Sequence, residues 1–355
     1  MASLVENTSA GSTGKMCADK IYDVIIVGAG AAGLSAFNRL TSAMLPSSVL
    51  ILESRTRPGG RLHTVDGCDH GAKYMHGVSE ENPAAKLLKN AEFCAIGGGN
   101  PWLFPRQFLR CNYFVGGHPP EAESLALSYK QFENLMECVK TIGDASRLSL
   151  SDKTAMEEDV AQISLKDALE IIRKDYRSAG KMREDTVIKA KDLPAETRSL
   201  IRSHLHMVEC WFGGSIGQLQ LREFESRDSD LCGDYPGDHA TVVGGMGASV
   251  VKALLDERAD TRERIVYNSK VVGIDYSDDS FVVVRCEHNE VDAAGSPVVN
   301  YREFKCKKVI STLPIGVLKS LSGGMFHPPL PKEKVEAINS IGSGLYKKVI
   351  MTFDR

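Results

Sequence analysis

The stretch Asp23-Val-Ile-Ile-Val27 is short, β-branched and stopped by glycine, which is how a strand buried on both faces reads. It runs directly into Gly28-Ala29-Gly30-Ala31-Ala32-Gly33. From Gly33 to Leu45 the apolar spacing suits a helix, Pro46-Ser-Ser48 breaks it, and Val49-Leu-Ile-Leu-Glu53 reads as a second strand. Strand, glycine turn, helix and strand make one βαβ unit, so the expected class is α/β, a Rossmann-like doubly wound nucleotide-binding domain. Each glycine has a physical reason: Gly28 permits the tight turn, Gly30 lets a pyrophosphate approach the backbone, and Gly33 allows close helix packing. The helix amino terminus then faces the phosphate charge. Glu53 stands at the end of the second strand, where a carboxylate accepts hydrogen bonds from ribose hydroxyls. This spacing does not separate FAD from NAD.

At 355 residues the chain exceeds what one core usually serves, so a second domain is expected. Leu125, Tyr129, Phe132, Met136 and Val139 recur at helical steps and predict a helix over 121–142. Ser164-Leu-Lys-Asp167 fits a capping-box-like start of a helix reaching Tyr176, and Pro194–Trp211 reads as another. Strand signals return at 265–267, 271–276, 281–286 and 308–311. A loop over 323–331, a helix over 332–341 and a strand over 345–353 follow. The expected organisation is a disordered polar tail over 1–20, a nucleotide-binding domain over 21–119 and 241–320, and an interleaved α+β substrate domain over 120–240 and 321–355.

Charge and cysteine usage exclude several classes. Net charge is −3, with no block of like charges, so a nucleic-acid footprint is not indicated. The opening residues lack the apolar stretch of a secretory signal, and no segment reads as a membrane span, so a soluble protein without membrane association is expected. Nine cysteines without a C-x-x-C pair suit reduced, mostly structural thiols. The expected location is the cytoplasm, with peroxisomal or nuclear addresses left open. His204 and His206 lie two apart on a predicted helix and do not share a face, and no other ligand set suggests a metal.

Beyond the first turn, Glu53-Ser54-Arg-Thr-Arg-Pro-Gly-Gly60-Arg61 places an acid before Gly-Gly-Arg, and Asp69-His-Gly71-Ala72-Lys73-Tyr74-Met-His76-Gly77 follows. Val243-Gly-Gly-Met-Gly247 precedes a helix, and Lys308–Lys319 leads from a strand into a loop. Together these segments resemble the flavin-containing amine oxidase family, closest to its polyamine oxidase branch. The resemblance implies FAD as cofactor. It also implies that Arg61 contacts it, that Gly71 and Ala72 line the flavin with Lys73 and Tyr74 beside them, and that the Val271 backbone meets the adenine end. His76 would face the substrate. Tyr74 stands where the family usually has tryptophan, so substrate orientation is expected to differ.

Lys348 matches the family's lysine that holds a water against flavin N5; the resemblance expects it buried in a strand, with Lys347 on the opposite face. The activity implied is FAD-dependent oxidation of a polyamine-like amine by hydride transfer to flavin N5, followed by imine hydrolysis and hydrogen peroxide formation. A monomer with a small-molecule amine and molecular oxygen as partners is expected. The family's chain continues past the lysine strand, so this sequence reads as a fragment or truncated form, and a non-catalytic member is the alternative. A flavin-dependent histone lysine demethylase ranks lower: the opening 20 residues are too short for its helical module, and no sustained heptad run appears.

Overall fold

The computed structural model describes residues 20–95, 115–149, 164–174, 192–220, 235–237, 240–291, 297–321 and 323–353. Its contacts divide the chain into two compact units, 1–96 with 240–341, and 97–239 with 342–355. In chain order the described elements are β1 (Ile21–Val27), α1 (Ala31–Leu40), β2 (Val49–Leu52), β3 (Thr64–Val65), β4 (Cys68–Asp69), β5 (Tyr74–Met75), α2 (Pro83–Leu87), β6 (Phe93–Ala95), α3 (Ala122–Ser149), α4 (Leu165–Lys174), α5 (Ala195–Phe212), β7 (Ala240–Val242), α6 (Met246–Asp256), β8 (Ile265–Val266), β9 (Ser269–Asp275), β10 (Val282–Val291), β11 (Pro297–Ser311), α7 (Ile315–Leu321), β12 (Phe326–His327) and α8 (Lys332–Ser340). The tail expected over 1–20 lies outside the described residues except for Lys20.

The first unit holds a mixed sheet in the order β12-β9-β10-β11-β1-β2-β8. β11, β1, β2 and β8 run parallel, while β9, β10 and β11 form an antiparallel ribbon. Alternation along the parallel strands sends side chains to two cores. Val24, Ile26, Val49 and Ile51 pack with Leu34 and Phe37 of α1 and with Val250, Leu254 and Leu255 of α6. Ile25, Val27, Leu50 and Leu52 pack with Val271, Ile274, Val284, Cys286, Phe304 and Cys306 of the ribbon. Full burial of each such side chain stabilises by about 1.5–3 kcal/mol.

The α/β class with parallel strands is as expected, and what the sequence did not anticipate is that the core on the second face of β1 and β2 is built with residues of the antiparallel ribbon as well as Leu321 of α7. A β-ribbon buries apolar area as well as a helix does, and the run of apolar residues in β1 and β2 is satisfied by either cover. The stretch expected as a loop over 323–331 contains β12, which pairs with β9, and this pairing holds residues 321–341 in the first unit rather than the second. Burial pushes the thiols of Cys286 and Cys306 up to about 12 and about 11. Cys138 is also buried, whereas Cys68, Cys94 and Cys210 are exposed.

In the second unit, α3 packs against α4 and α5 through Tyr129, Phe132, Val139, Leu165, Ala168 and Val208. α4 begins with a capping box: the Asp167 N–H donates to Ser164 Oγ at 3.1 Å, and the Ser164 N–H donates to Asp167 Oδ2 at 3.0 Å. On α5, His204 is fully buried, 3.1 Å from Ser128 Oγ and stacked on Tyr129, while His206 is exposed beside Glu209. Burial lowers the His204 pKa to about 4. α5 ends at Gly213 in the left-handed region, whose carbonyl accepts from the Leu345 N–H at 2.9 Å.

The strand expected over 345–353 is not formed. Residues 342–353 have no ladder partner and are exposed, Val349 at 86% and Phe353 at 78%. An apolar run becomes a strand only where a neighbour supplies N–H and C=O groups, and the described residues of this unit contain no strand. Among the described residues no helix is long and apolar enough to cross a membrane.

Candidate functional site

β1 delivers the chain into a turn that only glycine can make. Gly28 has φ +105°, and its N–H donates to Leu52 O at 2.8 Å, which ties the turn to β2. A Cβ at Gly33 would lie 1.9 Å from Gly28 O, so the third glycine is what lets α1 start flush against the turn. Gly30 differs: a Cβ there would meet nothing within 4 Å. As the N-cap of α1, Gly30 brings no side-chain cap, and the first turn carries no acidic residue. Ala32 is exposed on that turn. The helix start is therefore open at Gly30, with no side-chain cap among the described residues and the positive end of the helix dipole at that opening.

Glu53 and the loop after it frame this opening. The Glu53 carboxylate is buried and binds the polypeptide itself: the Ala29 N–H donates to Oε2 at 2.8 Å, and the Arg55 N–H donates to Oε1 at 2.9 Å, with Ser54 Oγ at 3.3 Å. A carboxylate has about four acceptor positions, so capacity remains for a hydroxyl. The Gly59 N–H donates to Ala29 O at 2.8 Å, and a Cβ on Gly60 would stand 3.5 Å from Gly30 Cα, so the paired glycines pass directly beside the fingerprint turn. Arg55 Nη1 and Arg57 Nη2 both donate to Gly60 O, at 3.0 and 3.1 Å. Burial and then the Arg55 charge lower the Arg57 pKa. Arg61 is exposed, and its guanidinium makes no hydrogen bond or ion pair among the described residues.

Next comes a hairpin that sequence reasoning missed. Asp66 (φ +49°) and Gly67 (φ +75°) form a two-residue turn between β3 and β4, a type I′ signature that the Asp-Gly dipeptide carries. Past it, the Ala72 N–H donates to Arg61 O at 3.2 Å, and a Cβ on Gly71 would lie 1.9 Å from that same carbonyl. Arg61, Gly71 and Ala72 thus come from two arms of one hairpin. Its base is fixed by α6. The N–H groups of Met246 and Gly247 donate to the two Asp69 oxygens at 2.9 and 3.0 Å, and the Ala248 N–H donates to Thr64 Oγ1 at 2.8 Å.

The remaining expected residues lie on other elements. Lys73 Nζ lies 5.7 Å from the half-exposed Tyr74 ring, and Tyr74 pairs with Thr241 in the small sheet β5-β7-β6. His76 is exposed; its carbonyl accepts from Asn82 Nδ2 at 3.0 Å. The Val271 side chain is buried in the ribbon core, near the start of β9, where the Ser269 N–H donates to Glu53 O at 2.8 Å. Lys348 belongs to the second unit and is exposed outside any strand, which corrects the burial expected of it and, with it, the alternation with Lys347. Arg55, Arg57, Thr64 and Asp69 were not among the expected site residues, although the Asp66-Gly67 turn signal was present to place the last two.

The donor set suits FAD. The open amino terminus of α1, the clearance at Gly30 and the uncommitted Arg61 guanidinium match a diphosphate, and the spare acceptor capacity of Glu53 matches a ribose. The flavin containing amine oxidoreductase family matches residues 31–355. The chain is 30% identical to a rice protein named lysine-specific histone demethylase 1 homolog 2, over 93% of this chain and 37% of that protein. It is 28% identical to the Arabidopsis probable polyamine oxidase 4, over 94% of this chain and 58% of that one, and 26% identical to Arabidopsis polyamine oxidase 2, over 97% and 61%. The chain thus spans at most 61% of the length of these relatives. With the match extending across nearly all of its residues, the chain belongs to the flavin-containing amine oxidoreductase family, whose cofactor is FAD.

Proposed function

We propose that this chain carries the FAD-binding half of an amine oxidase acting on a polyamine-like substrate with molecular oxygen as acceptor. The observation that carries the reading is the convergence of Gly28–Gly33, Glu53, Gly59–Arg61 and Gly71–Ala72 around one open helix start in the first unit. When bound, FAD supplies the oxidant that accepts a hydride at N5 from the carbon beside nitrogen. The α1 amides and Arg61 hold the diphosphate, Glu53 holds the ribose while fixing Ala29, and His76 orients the amine. Lys348 is assigned the water-holding role by resemblance to the family.

A second reading is a member that binds FAD without turnover, and the exposed placement of Lys348 outside a strand favours it. The visible spectrum of the purified chain, followed by anaerobic addition of spermine, N-acetylspermine and a dimethyl-lysine peptide, tests both. A flavin spectrum that bleaches with either polyamine supports the oxidase. Colour that persists with all three supports the second reading, and bleaching by the peptide alone moves the substrate to methylated lysine. A protein that stays colourless and takes up no added FAD overturns both.

A further inference from the structure

We infer that Asp69 and Thr64 are positioning residues, which import a cap onto α6 and thereby set where the hairpin presents Arg61, Gly71 and Ala72. What the hairpin presents rests on the FAD reading; the clamp is a property of the polypeptide. The β3–β4 hairpin pairs only Thr64 with Asp69 and Val65 with Cys68, far too little to hold a shape by itself. α6, for its part, begins at Gly245 (φ +100°) with no side-chain cap of its own. Each element completes the other. Asp69 and Thr64 satisfy three consecutive amides of the α6 start, and Thr64 Oγ1 donates to Asp69 Oδ1 at 2.5 Å, which locks the pair.

The fit is close enough to demand glycine on the helix side. A Cβ at Gly245 would come within 2.3 Å of Thr64 Cγ2, and one at Gly247 within 2.7 Å of the His63 nitrogen. From the clamped base the two arms carry their residues outward, cross-linked by the His70 and Gly71 N–H groups on His63 O at 2.8 and 3.0 Å. A displaced base moves both arms together. α6 is held in turn by Leu254 and Leu255, packed in the same core as Leu34 and Phe37 of α1, so the open and the closed helix starts share one rigid support.

Asp69→Asn keeps the shape and removes one acceptor; Thr64→Val removes the hydroxyl, and Thr64→Ser restores it. Val250→Ala, in the same helix and 6% exposed, serves as a control for plain destabilisation. FAD affinity is read from flavin fluorescence quenching, stability from urea unfolding, and clamp integrity from hydrogen exchange of the Met246, Gly247 and Ala248 amides in the FAD-free protein. Asp69→Asn and Thr64→Val are expected to weaken FAD by roughly tenfold and to speed that exchange, with Thr64→Ser near wild type and Val250→Ala within about twofold in FAD affinity. Equal weakening by Asp69→Asn and Val250→Ala at matched stability overturns the positioning role. If the wild-type chain binds no FAD, the cofactor reading falls with the role, and unchanged exchange in Asp69→Asn overturns the clamp itself.

Discussion

Two helices of the first unit start on glycine, and they are used in opposite ways. α1 follows Gly28-Ala-Gly30-Ala-Ala-Gly33 and presents an uncapped start with clear space at Gly30. α6 follows Val243-Gly-Gly-Met-Gly247, and its start is filled by Asp69 and Thr64. Both segments are glycine-rich because something must come close to the backbone. In α6 that partner is the chain's own hairpin; in α1 no described side chain fills the place. A glycine cluster before a helix therefore marks close approach, and the amide accounting decides whether a ligand or the protein supplies it.

The contrast breaks most visibly at Gly33. Gly33→Ala drives a Cβ into the Gly28 carbonyl, and a loss of about 3 kcal/mol in urea unfolding is expected, at the upper end of overpacking costs. A near-neutral result would mean that the turn is looser than its contacts indicate. In the second unit, His204 is the buried group whose titration reports on stability. Its pKa is lowered to about 4 by burial, so below the ordinary value of 6.5 the unfolded chain takes up a proton that the native state refuses. Stability from this group is therefore full above 6.5 and is lost as the pH falls towards 4. A loss of about 2 kcal/mol between about pH 7 and about pH 5 is expected, absent from His204→Gln when the two urea series are subtracted.

Glu53→Gln sharpens the comparison on the open side. The amide keeps one accepting oxygen and puts a donating nitrogen in place of the other, so either the Ala29 or the Arg55 N–H loses its acceptor, and a cost of about 2 kcal/mol should appear in thermal unfolding of the FAD-free protein. No change would place the Glu53 carboxylate outside the support of the turn. The smallest effect on stability falls at Gly30. Gly30 sits at φ −74° in open space, so Gly30→Ala should change stability by no more than about 0.5 kcal/mol. The same methyl should nonetheless weaken FAD in a titration, since it occupies the space a diphosphate would use. Unchanged affinity would mean that the open start is not where FAD binds.

Two apolar, β-branched segments show how far such readings reach. Asp23–Val27 lies in β1 with β11 and β2 on either side and is nearly all buried; Leu345–Phe353 has comparable composition and is neither a strand nor buried. The first was legible because glycine spacing, helix and second strand all agreed with it locally. The second had only its own apolarity and a family likeness to support it. The capping box at Ser164 and the opposite faces of His204 and His206 were likewise legible, being local consequences of helical geometry. The cover on the sheet's second face was not, because alternate burial in β1 and β2 reads the same beneath a helix or a ribbon.

By itself the sequence determined the βαβ unit, the glycine turn with Glu53 in register, the family and hence the cofactor, since these rest on short-range sterics and on motifs contiguous along the chain. Only the tertiary structure decided that Asp69 closes α6 from 177 positions away, that Arg55 and Arg57 brace the Gly60 carbonyl, and that Lys348 stands exposed. Hydrogen-bond partners and ladder neighbours are set by where distant segments come to lie, and the side chains that satisfy a backbone amide need not be near it in the sequence.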